Sequence, residues 1–293
     1  LVDALREIGA RIEYMGQTGC LPLRILPARL TSDTARVRGN VSSQFLTALL
    51  LASAGWARTL NRPFHIQILG NLISRPYVEM TVSMMRSFGA DVVKVSDGYV
   101  VGTRQMTPPE TYAIEGDASG ASYFLALGAL TGGPVRVVGI GRNSLQGDVH
   151  FADALAQMGA DVTYLDNAVE VSRKPGTTLR GISINCLAIP DAAMTFVPMA
   201  LCTEGAVELT GSASWRVKET DRLDAMVCEM RKFGARVTSG PDWIRVERGS
   251  EIIPARVATY NDHRMAMSFA LAACAGIPVQ IENPACTAKT FPD

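Results

Sequence analysis

The chain has 293 residues, 28 acidic and 28 basic side chains, and an apolar fraction of 47%. These values are typical of a globular protein long enough for two domains, and the balanced charge disfavours nucleic acid as a partner. The longest apolar runs are shorter than the roughly 20 residues that a membrane-spanning helix needs, so we expect no membrane partner.

The six cysteines occur singly, with no Cys-x-x-Cys pair and no short-range pairing with histidine. This spacing favours neither a zinc site nor a disulfide framework, and it predicts a reduced, cytosol-like compartment. The sequence opens at Leu1 inside a helical pattern, without a signal segment, so we expect a chain that is truncated at its N-terminus.

A short motif around a glycine recurs four times along the chain. It occurs as LREIGARI at 5–12, MRSFGADV at 85–92, LAQMGADV at 155–162 and MRKFGARV at 230–237. The four glycines are separated by 80, 70 and 75 residues, and such regular spacing predicts internal repeats.

Each repeat has the same predicted order of elements, which is clearest over 181–247. There a strand precedes an apolar helix, a second strand and an amphipathic helix, and two short strands follow. The same βαβαββ order fits 35–102 and 110–172, whereas 1–30 holds the end of a unit and 255–293 the beginning of one. The sequence therefore predicts an α/β fold of repeated βαβαββ units.

One helix of each unit is apolar all round, and such a helix has to be buried on every side. If several of these helices pack together in the middle, the strands lie outside them, which predicts an inside-out arrangement. The apolar helices begin at polar residues, namely Ser42, Asp117, Asp191 and Asp262. These types are common N-caps, but parallel buried helices would also bring their positive ends to one face, where anions bind.

The segment SWRVKETDR, residues 214–222, carries five formal charges at the start of an amphipathic helix. Lys218 and Arg222 are four residues apart, so they share one face near the positive end of that helix. Pairing within the segment would contribute roughly a few tenths of a kcal/mol, as exposed ion pairs do. A bound anion would explain basic residues at this end of a helix better.

A second polar cluster, TYNDHRMAM at 259–267, sets His263 and Arg264 ahead of an apolar helix. The sequence lacks a nucleophile elbow, a Walker loop and a dinucleotide fingerprint. The remaining chemistry is transfer between anionic small molecules held by arginine and lysine, with Asp191 and Glu219 available for proton transfer.

Eight segments of the chain are distinctive when taken together. They are VSSQFLTALL, ISRPYVEM, EGDASGASYFLA, GIGRNSLQGDV, IPDAAMT, SWRVKETDRL, TYNDHRMAM and CTAKTFPD, in this order. They closely resemble the 5-enolpyruvylshikimate-3-phosphate synthase family over essentially the whole chain. The resemblance implies the enolpyruvyl transferase fold, in which two inside-out α/β barrel domains of three βαβαββ units each enclose the substrates in a cleft.

The resemblance also implies an activity in the shikimate pathway of aromatic amino-acid biosynthesis. The enolpyruvyl group of phosphoenolpyruvate is transferred to the 5-hydroxyl of shikimate 3-phosphate through a tetrahedral intermediate. Phosphate is then released, and neither a metal nor a cofactor takes part.

Carried over position by position, the resemblance implies two sets of substrate ligands. Shikimate 3-phosphate would be held by Ser42, Ser43, Gln44, Ser74, Tyr77, Asp191, Ser214 and Lys218. Phosphoenolpyruvate would be held by Gln44, Arg222, Arg264 and Lys289, with His263 beside them. Asp191 would deprotonate the 5-hydroxyl and Glu219 would handle the methylene proton, and Lys218 and His263 complete the implied catalytic set.

The family's domain arrangement implies a division near residue 115. Residues 1–115 would form the shikimate-phosphate side, incomplete at its N-terminus, and 116–293 most of the second domain. Family residues that bind substrate would precede Leu1, namely a Lys-Ser pair, a glycine-rich segment and a further Arg. We therefore expect weak or no turnover from this chain alone.

Two other functions stay open at this stage. One is a truncated, inactive copy of the same scaffold that only binds shikimate 3-phosphate. The other is a UDP-N-acetylglucosamine enolpyruvyl transferase, which shares fold and donor but resembles SSQFLTALL and VKETDRL poorly. We expect a monomer in the cytoplasm, or in a plastid if the source is a plant or alga, either separate or within a larger polypeptide.

Overall fold

The computed structural model describes residues 1–292 and divides the chain into two compact units. The first consists of Leu1–Ala113, and the second begins at Ile114. The assignment of the first unit to shikimate 3-phosphate stays a prediction. No helix in the described part of the chain is long and apolar enough to cross a membrane.

The first unit contains one complete repeat and the end of another. Its elements are α1 (Val2–Glu7), β1 (Arg11–Tyr14), β2 (Leu23–Leu26), β3 (Thr34–Arg38), α2 (Ser43–Leu60), β4 (Phe64–Leu69), α3 (Arg75–Ser87), β5 (Val92–Val95) and β6 (Gly98–Val101). Strands β1 and β2 form an antiparallel pair. In the four-stranded sheet the order is β3-β4-β6-β5, with β3 and β4 parallel and the other pairs antiparallel. The βαβαββ order predicted for 35–102 is confirmed.

The second unit is longer. Its elements are α4 (Ala118–Thr131), β7 (Val135–Val138), α5 (Phe151–Gln157), β8 (Asp161–Tyr164), β9 (Ala168–Ser172), β10 (Leu179–Asn185), α6 (Phe196–Met199), β11 (Thr203–Thr210), α7 (Arg222–Lys232), β12 (Arg236–Ser239), β13 (Trp243–Glu247), β14 (Ala255–Val257), α8 (His263–Cys274) and β15 (Val279–Ile281). Short 3₁₀ turns occupy Gly147–His150, Ala192–Thr195, Ala200–Cys202, Ala213–Val217 and Pro284–Lys289.

The sheets of the second unit repeat the topology of the first. Strands β10, β11, β13 and β12 lie in this order, with β10 and β11 parallel and the other pairs antiparallel. Strands β14 and β15 form a parallel pair, as expected for the beginning of a further repeat. The order of elements predicted over 181–247 is therefore confirmed, and so is the incomplete unit at 255–293.

The repeat predicted at 110–172 lacks its first strand, so that part of the prediction was wrong. Only the antiparallel strands β7, β9 and β8 form its sheet, and residues 103–117 contain no strand. Pro108 and Pro109 have no N–H to donate to a ladder, and Ile114 is 89% exposed. The segment that links the two units therefore makes no strand pairing.

Three apolar helical segments fill the centre of the second unit. Helix α8 packs against α4 and α6, and all residues of α6 are fully buried. Ser122 on α4 and Thr195, just before α6, share a hydrogen bond of 2.9 Å between their hydroxyl oxygens. Burying each large apolar side chain contributes about 1.5–3 kcal/mol, so the helices are stabilised mainly by contact with one another. The inside-out arrangement is confirmed in this unit.

Helix α2, the apolar helix of the first unit, is buried on only one side. Leu46, Leu49 and Leu50 are covered by α3 and the sheet, whereas Leu51 is 52% exposed. The exposed positions 44, 48, 51, 55 and 58 follow the helical period. Burial on every side was predicted for this helix and is wrong, because the first unit contains no second apolar helix to cover it.

Candidate active site

The predicted shikimate-phosphate residues of the first unit lie at one edge of its sheet. Ser42 follows β3 and Ser74 follows β4, and these two strands are parallel neighbours, so their carboxyl ends meet. The two loops are joined by backbone hydrogen bonds. The Gly39 N–H donates to the Leu69 carbonyl at 2.9 Å, and the Ile73 N–H donates to the Gly39 carbonyl at 3.1 Å. The structure thus brings the two predicted segments together.

The side chains at this edge differ in their local roles. The Ser42 hydroxyl caps α2 by accepting a hydrogen bond from the Gln44 N–H at 3.2 Å. Ser43 is buried, and Gln44 is exposed. Ser74 has a left-handed backbone with φ of 50°, and its side chain does not cap α3, whose first turn contains Tyr77. The N-capping interpretation is therefore correct for Ser42.

Of the three aspartates predicted at helix starts in the second unit, two cap their helices and one does not. Asp117 caps α4 by accepting from the Ser119 N–H, and Asp262 caps α8 by accepting from the Arg264 N–H. Asp191 lies at the start of the buried segment before α6, but its side chain makes no capping hydrogen bond. Its carboxylate is instead used in side-chain ion pairs.

Three basic side chains surround the Asp191 carboxylate. Its Oδ1 lies 3.0 Å from Arg222 and 3.8 Å from Lys218, and its Oδ2 lies 3.2 Å from Arg264. Burial alone would raise the pKa of Asp191, but the charges of Arg264, Lys218 and Arg222 together lower it. The carboxylate is therefore ionised at neutral pH.

Arg222, at the first position of α7, connects three carboxylates. Its side chain is only 1% exposed, and its Nε donates to Asp262 at 2.7 Å. Its terminal nitrogens donate to Asp191 at 3.0 Å and to Glu219 at 2.6 Å. A buried arginine is tolerated when its charge and its hydrogen bonds are satisfied in this way. A phosphoenolpyruvate anion would have to compete with these carboxylates for Arg222.

Glu219 lies between the buried network and the surface. It accepts hydrogen bonds from Arg222 and from Lys289, whose side chain is 60% exposed, and it lies 4.0 Å from His263 Nδ1. Partial burial would raise the pKa of Glu219, but the hydrogen bond from Lys289 and the charge of Arg222 lower it to about 2. Burial and the charge of Arg264 lower the pKa of His263.

The family model that describes EPSP synthase (3-phosphoshikimate 1-carboxyvinyltransferase) matches residues 1–293. The chain belongs to the EPSP synthase family. Proteins named 3-phosphoshikimate 1-carboxyvinyltransferase from Cupriavidus taiwanensis and Ralstonia nicotianae are each 51% identical to it, across the whole chain and 69% of their own length. The family predicted from the eight sequence segments is therefore confirmed.

Solved structures agree with this family. The EPSP synthase of Acinetobacter baumannii matches with a TM-score of 0.74 and 25% identity, over 99% of this chain and 67% of that one. The enolpyruvyl transferase NikO of Streptomyces tendae, 18% identical, matches with a TM-score of 0.73 over 100% of this chain and 68% of its own, and so supports the fold. The predicted enolpyruvyl transferase fold is confirmed. The relatives do not favour the nucleotide-sugar enzyme.

Arg264, one of the cations at this site of the EPSP synthase family member, has spare hydrogen-bonding capacity. Its side chain is about 10% exposed, and its buried Nε has no hydrogen-bond partner among the described residues. One terminal nitrogen lies 3.5 Å from the hydroxyl of Tyr123 on α4. Burial raises the pKa of Tyr123 to about 12, so this hydroxyl stays neutral and can donate. Sequence reasoning missed Tyr123, although a lone tyrosine near the start of an apolar helix is a usable signal.

The charged segment at 214–222 serves two purposes. Arg216 donates to the carbonyls of Gly240 and Pro241 and pairs with Asp221, so it holds the segment against the neighbouring turn. Ser214, a predicted ligand, lies in the same 3₁₀ turn, Ala213–Val217. Three other residues of the segment, Lys218, Glu219 and Arg222, take part in the ion pairs around Asp191 described above.

Trp215 links this segment to the loop that carries Asp191. Its indole Nε1 donates to the Pro190 carbonyl at 2.6 Å, and the side chain is fully buried. The hydrogen bond satisfies the indole and fixes the residue directly before Asp191. Sequence analysis predicted no role for this tryptophan.

Proposed function

We propose that this chain carries out the reaction for which its family is named. The enolpyruvyl group of phosphoenolpyruvate is transferred to the 5-hydroxyl of shikimate 3-phosphate, and inorganic phosphate is released. The observation that carries the proposal is the cluster of two carboxylates, Asp191 and Glu219, joined by Arg222 and flanked by Arg264 and Lys289. Two proton-transfer groups among several cations suit a reaction between two anions.

In the first step Asp191 accepts the proton of the 5-hydroxyl as the hydroxyl oxygen bonds to C2 of phosphoenolpyruvate. The electron pair of the C2=C3 bond takes up a proton at C3, which gives a methyl group and the tetrahedral intermediate. In the second step the bond from C2 to the phosphate oxygen breaks, and a base removes a proton from that methyl group. The double bond re-forms, and phosphate leaves with the proton that Asp191 had accepted.

Glu219 is the candidate for the proton exchanged at C3, but its low pKa imposes a condition. With Lys289 and Arg222 as neighbours the carboxylate is ionised and has no proton to give. Binding of a phosphate group by Lys289 would remove that hydrogen bond and raise the pKa of Glu219. We propose that phosphoenolpyruvate in this way prepares its own proton donor.

The first unit by itself offers neutral groups that suit a phosphate-bearing ligand such as shikimate 3-phosphate. Ser42, Ser43, Ser74 and Tyr77 offer hydroxyls, and α2 is 18 residues long with its first backbone N–H groups at the same edge. Hydroxyls and a helix N-terminus are suitable ligands for a phosphate. Monomeric state and cytoplasmic location remain predictions from the sequence.

The test is phosphate release from phosphoenolpyruvate by the complete polypeptide that carries this chain. Shikimate 3-phosphate and UDP-N-acetylglucosamine are offered separately as acceptors, and release with shikimate 3-phosphate alone is expected. Release with the nucleotide sugar would contradict the proposal. Binding of shikimate 3-phosphate with no release from either acceptor would favour the inactive, binding-only alternative.

The proton-transfer role of Glu219 has its own test within the same assay. Glu219→Gln should lower the turnover number more than about tenfold, since general acid–base groups contribute about 10² to 10⁴. Glu208→Gln is the matched control, because Glu208 also pairs with an arginine, Arg245, but on the sheet at β11. Equal turnover in the two variants would remove Glu219 from the mechanism.

A further inference from the structure

Helix α7 contacts the loop 258–262 at two points. Arg222 donates to Asp262, and seven residues further along the helix Glu229 reaches Ala258 and Tyr260. Residues seven apart lie on the same face of a helix, two turns away from each other. One face of α7 therefore holds both ends of this loop.

Glu229 is a fully buried carboxylate outside the cluster described above. Its Oε1 accepts a hydrogen bond from the Tyr260 hydroxyl at 2.8 Å, and its Oε2 accepts one from the Ala258 N–H at 3.1 Å. Lys232 lies 2.6 Å from Oε2 and also donates to the Arg256 carbonyl. The buried charge is thus paired and fully hydrogen-bonded, which is the condition for burying it at low cost.

The loop that Glu229 contacts has a strained backbone. Tyr260 and Asn261 are consecutive residues with φ of 53° and 57°, a conformation that L-residues other than glycine rarely adopt. Each such residue costs on the order of 1 kcal/mol or more, so the surrounding contacts must hold it. Directly after these two residues come Asp262, the cap of α8, and His263 and Arg264.

The same loop also contacts the segment that carries Lys289. The Asn283 side-chain amide donates to the Asn261 side chain at 3.4 Å, and Asn283 is the N-cap of the 3₁₀ turn Pro284–Lys289. That turn packs on α8. The loop therefore directly precedes the helix start that carries Arg264, and it contacts the turn that carries Lys289. These two cations are the ones we propose as ligands of phosphoenolpyruvate.

We propose that Glu229, acting through Tyr260, is a positioning residue for the phosphoenolpyruvate part of the site. It holds the loop 258–262 in its left-handed conformation and so sets the position of Arg264 and of the Lys289 segment. This inference rests on the proposed function. Neither Glu229 nor Tyr260 needs to touch a substrate.

Tyr260→Phe tests the inference because it removes one hydroxyl and keeps the ring. We expect the KM for phosphoenolpyruvate to rise about three- to tenfold, the size of one lost hydrogen bond. The KM for shikimate 3-phosphate and kcat should stay within about twofold, since the loop holds ligands of one substrate. Tyr164→Phe is the matched control, because the Tyr164 hydroxyl also bonds a carboxylate, Asp153, but from strand β8.

Coupling between the two residues is tested with Glu229→Gln and the double variant. Glu229→Gln should raise the same KM at least as much as Tyr260→Phe. The double variant should raise this KM by less than the product of the two single effects, because both changes act on the hydrogen bond between Glu229 and Tyr260. If Glu229→Gln does not fold, Tyr260→Phe alone decides. Folded Tyr260→Phe with an unchanged KM for phosphoenolpyruvate, or with both KM values raised equally, would overturn the inference.

A binding measurement separates this inference from the proposed function. Titration calorimetry gives the Kd of phosphoenolpyruvate in the presence of shikimate 3-phosphate, whether or not turnover occurs. If the unmodified protein binds phosphoenolpyruvate without turnover and Tyr260→Phe weakens that binding, the proposed reaction fails and the positioning role stands. If turnover occurs and Tyr260→Phe leaves Kd unchanged, the positioning role fails and the reaction stands.

Discussion

The two units bring candidate ligands together in chemically different ways. At the sheet edge of the first unit the groups are hydroxyls and an amide, on the loops after β3 and β4 and in the first turns of α2 and α3. In the second unit they are charged side chains that share hydrogen bonds, with Arg222 contacting three carboxylates. The first unit thus presents neutral hydrogen-bonding groups at its sheet edge, whereas the second presents a network of paired charges.

Helix packing explains why the charges collect in the second unit. There α8 packs on α4 and α6, which brings the N-terminal ends of three buried segments within reach of one another. Buried charges need partners, so each cation at this place is matched by a carboxylate or by Tyr123. Helix α2 has an exposed face instead, and its first turn carries neutral residues.

The largest effect is expected from Asp191→Asn in the second unit. The amide keeps the size of the side chain but cannot accept the proton of the 5-hydroxyl, so the turnover number should fall about 10²- to 10⁴-fold. The measurement is phosphate release at saturating substrates. Asp153→Asn, at an exposed carboxylate on α5, is the control. A fall of less than about tenfold would remove Asp191 as the base.

The sequence predicts part of this site because neighbouring residues share helix faces. Lys218 and Arg222 could be placed together from their spacing, and the capping residues from their types. The pairing of Arg222 with Asp262, 40 residues away, depends on how α7 lies against the loop before α8, and periodicity does not specify this. The burial of Glu229 could not be predicted either, because a glutamate on an amphipathic helix is ordinarily exposed.

The fold shows the same division between local and long-range information. Repeats, turns and the order of elements along the chain follow from local patterns, and they predicted the strands that form both four-stranded sheets. The burial of an apolar helix depends on what else the unit contains, so α2 and α4, both predicted to be buried on every side, differ in exposure. The strand predicted before α4 does not form, because a strand needs a neighbouring strand to pair with in addition to a suitable sequence.

Arg222→Met should produce the next largest effect, on stability. It leaves the fully buried Asp262 without its main partner, and breaking a buried ion pair costs about 3–5 kcal/mol. Chemical denaturation measures the free energy of unfolding. Arg245→Met is the control, because Arg245 pairs with Glu208 and Glu247 at 44% exposure, where solvent screens the ion pairs, and its loss should have a much smaller effect. Equal losses of stability in the two variants would mean that the buried ion pairs of Arg222 contribute no more than the exposed ones of Arg245.

Lys289→Ala should chiefly weaken phosphoenolpyruvate binding. Its KM is expected to rise about tenfold or more, as for a lost charged hydrogen bond, with the KM for shikimate 3-phosphate nearly unchanged. Lys94→Ala removes a lysine from an exposed pair with Glu79 in the first unit and serves as the control. A change confined to shikimate 3-phosphate would reverse the assignment of Lys289.

The lowered pKa of Glu219 predicts how the effect of Lys289→Ala on stability depends on pH. The pKa of Glu219 lies at about 2 against an ordinary 4.5, so its ion pairs stabilise the fold fully above pH 4.5 and progressively less as pH falls towards 2. Lys289→Ala removes one cause of this lowering. The stability difference between the unmodified protein and the variant should therefore shrink as pH falls through that range. A difference that grows on acidification would contradict the lowered pKa.

The smallest effect is expected at Ser74 in the first unit. Ser74→Ala and Ser74→Gly both remove the hydroxyl, so both should raise the KM for shikimate 3-phosphate to a similar extent. Only glycine adopts the left-handed backbone at φ of 50° without cost, so Ser74→Gly should unfold at a free energy about 1 kcal/mol higher than Ser74→Ala. Denaturation of the two variants side by side measures this. Equal stability would mean that the loop relaxes, and the edge of the first unit would then be more adaptable than the charged cluster of the second.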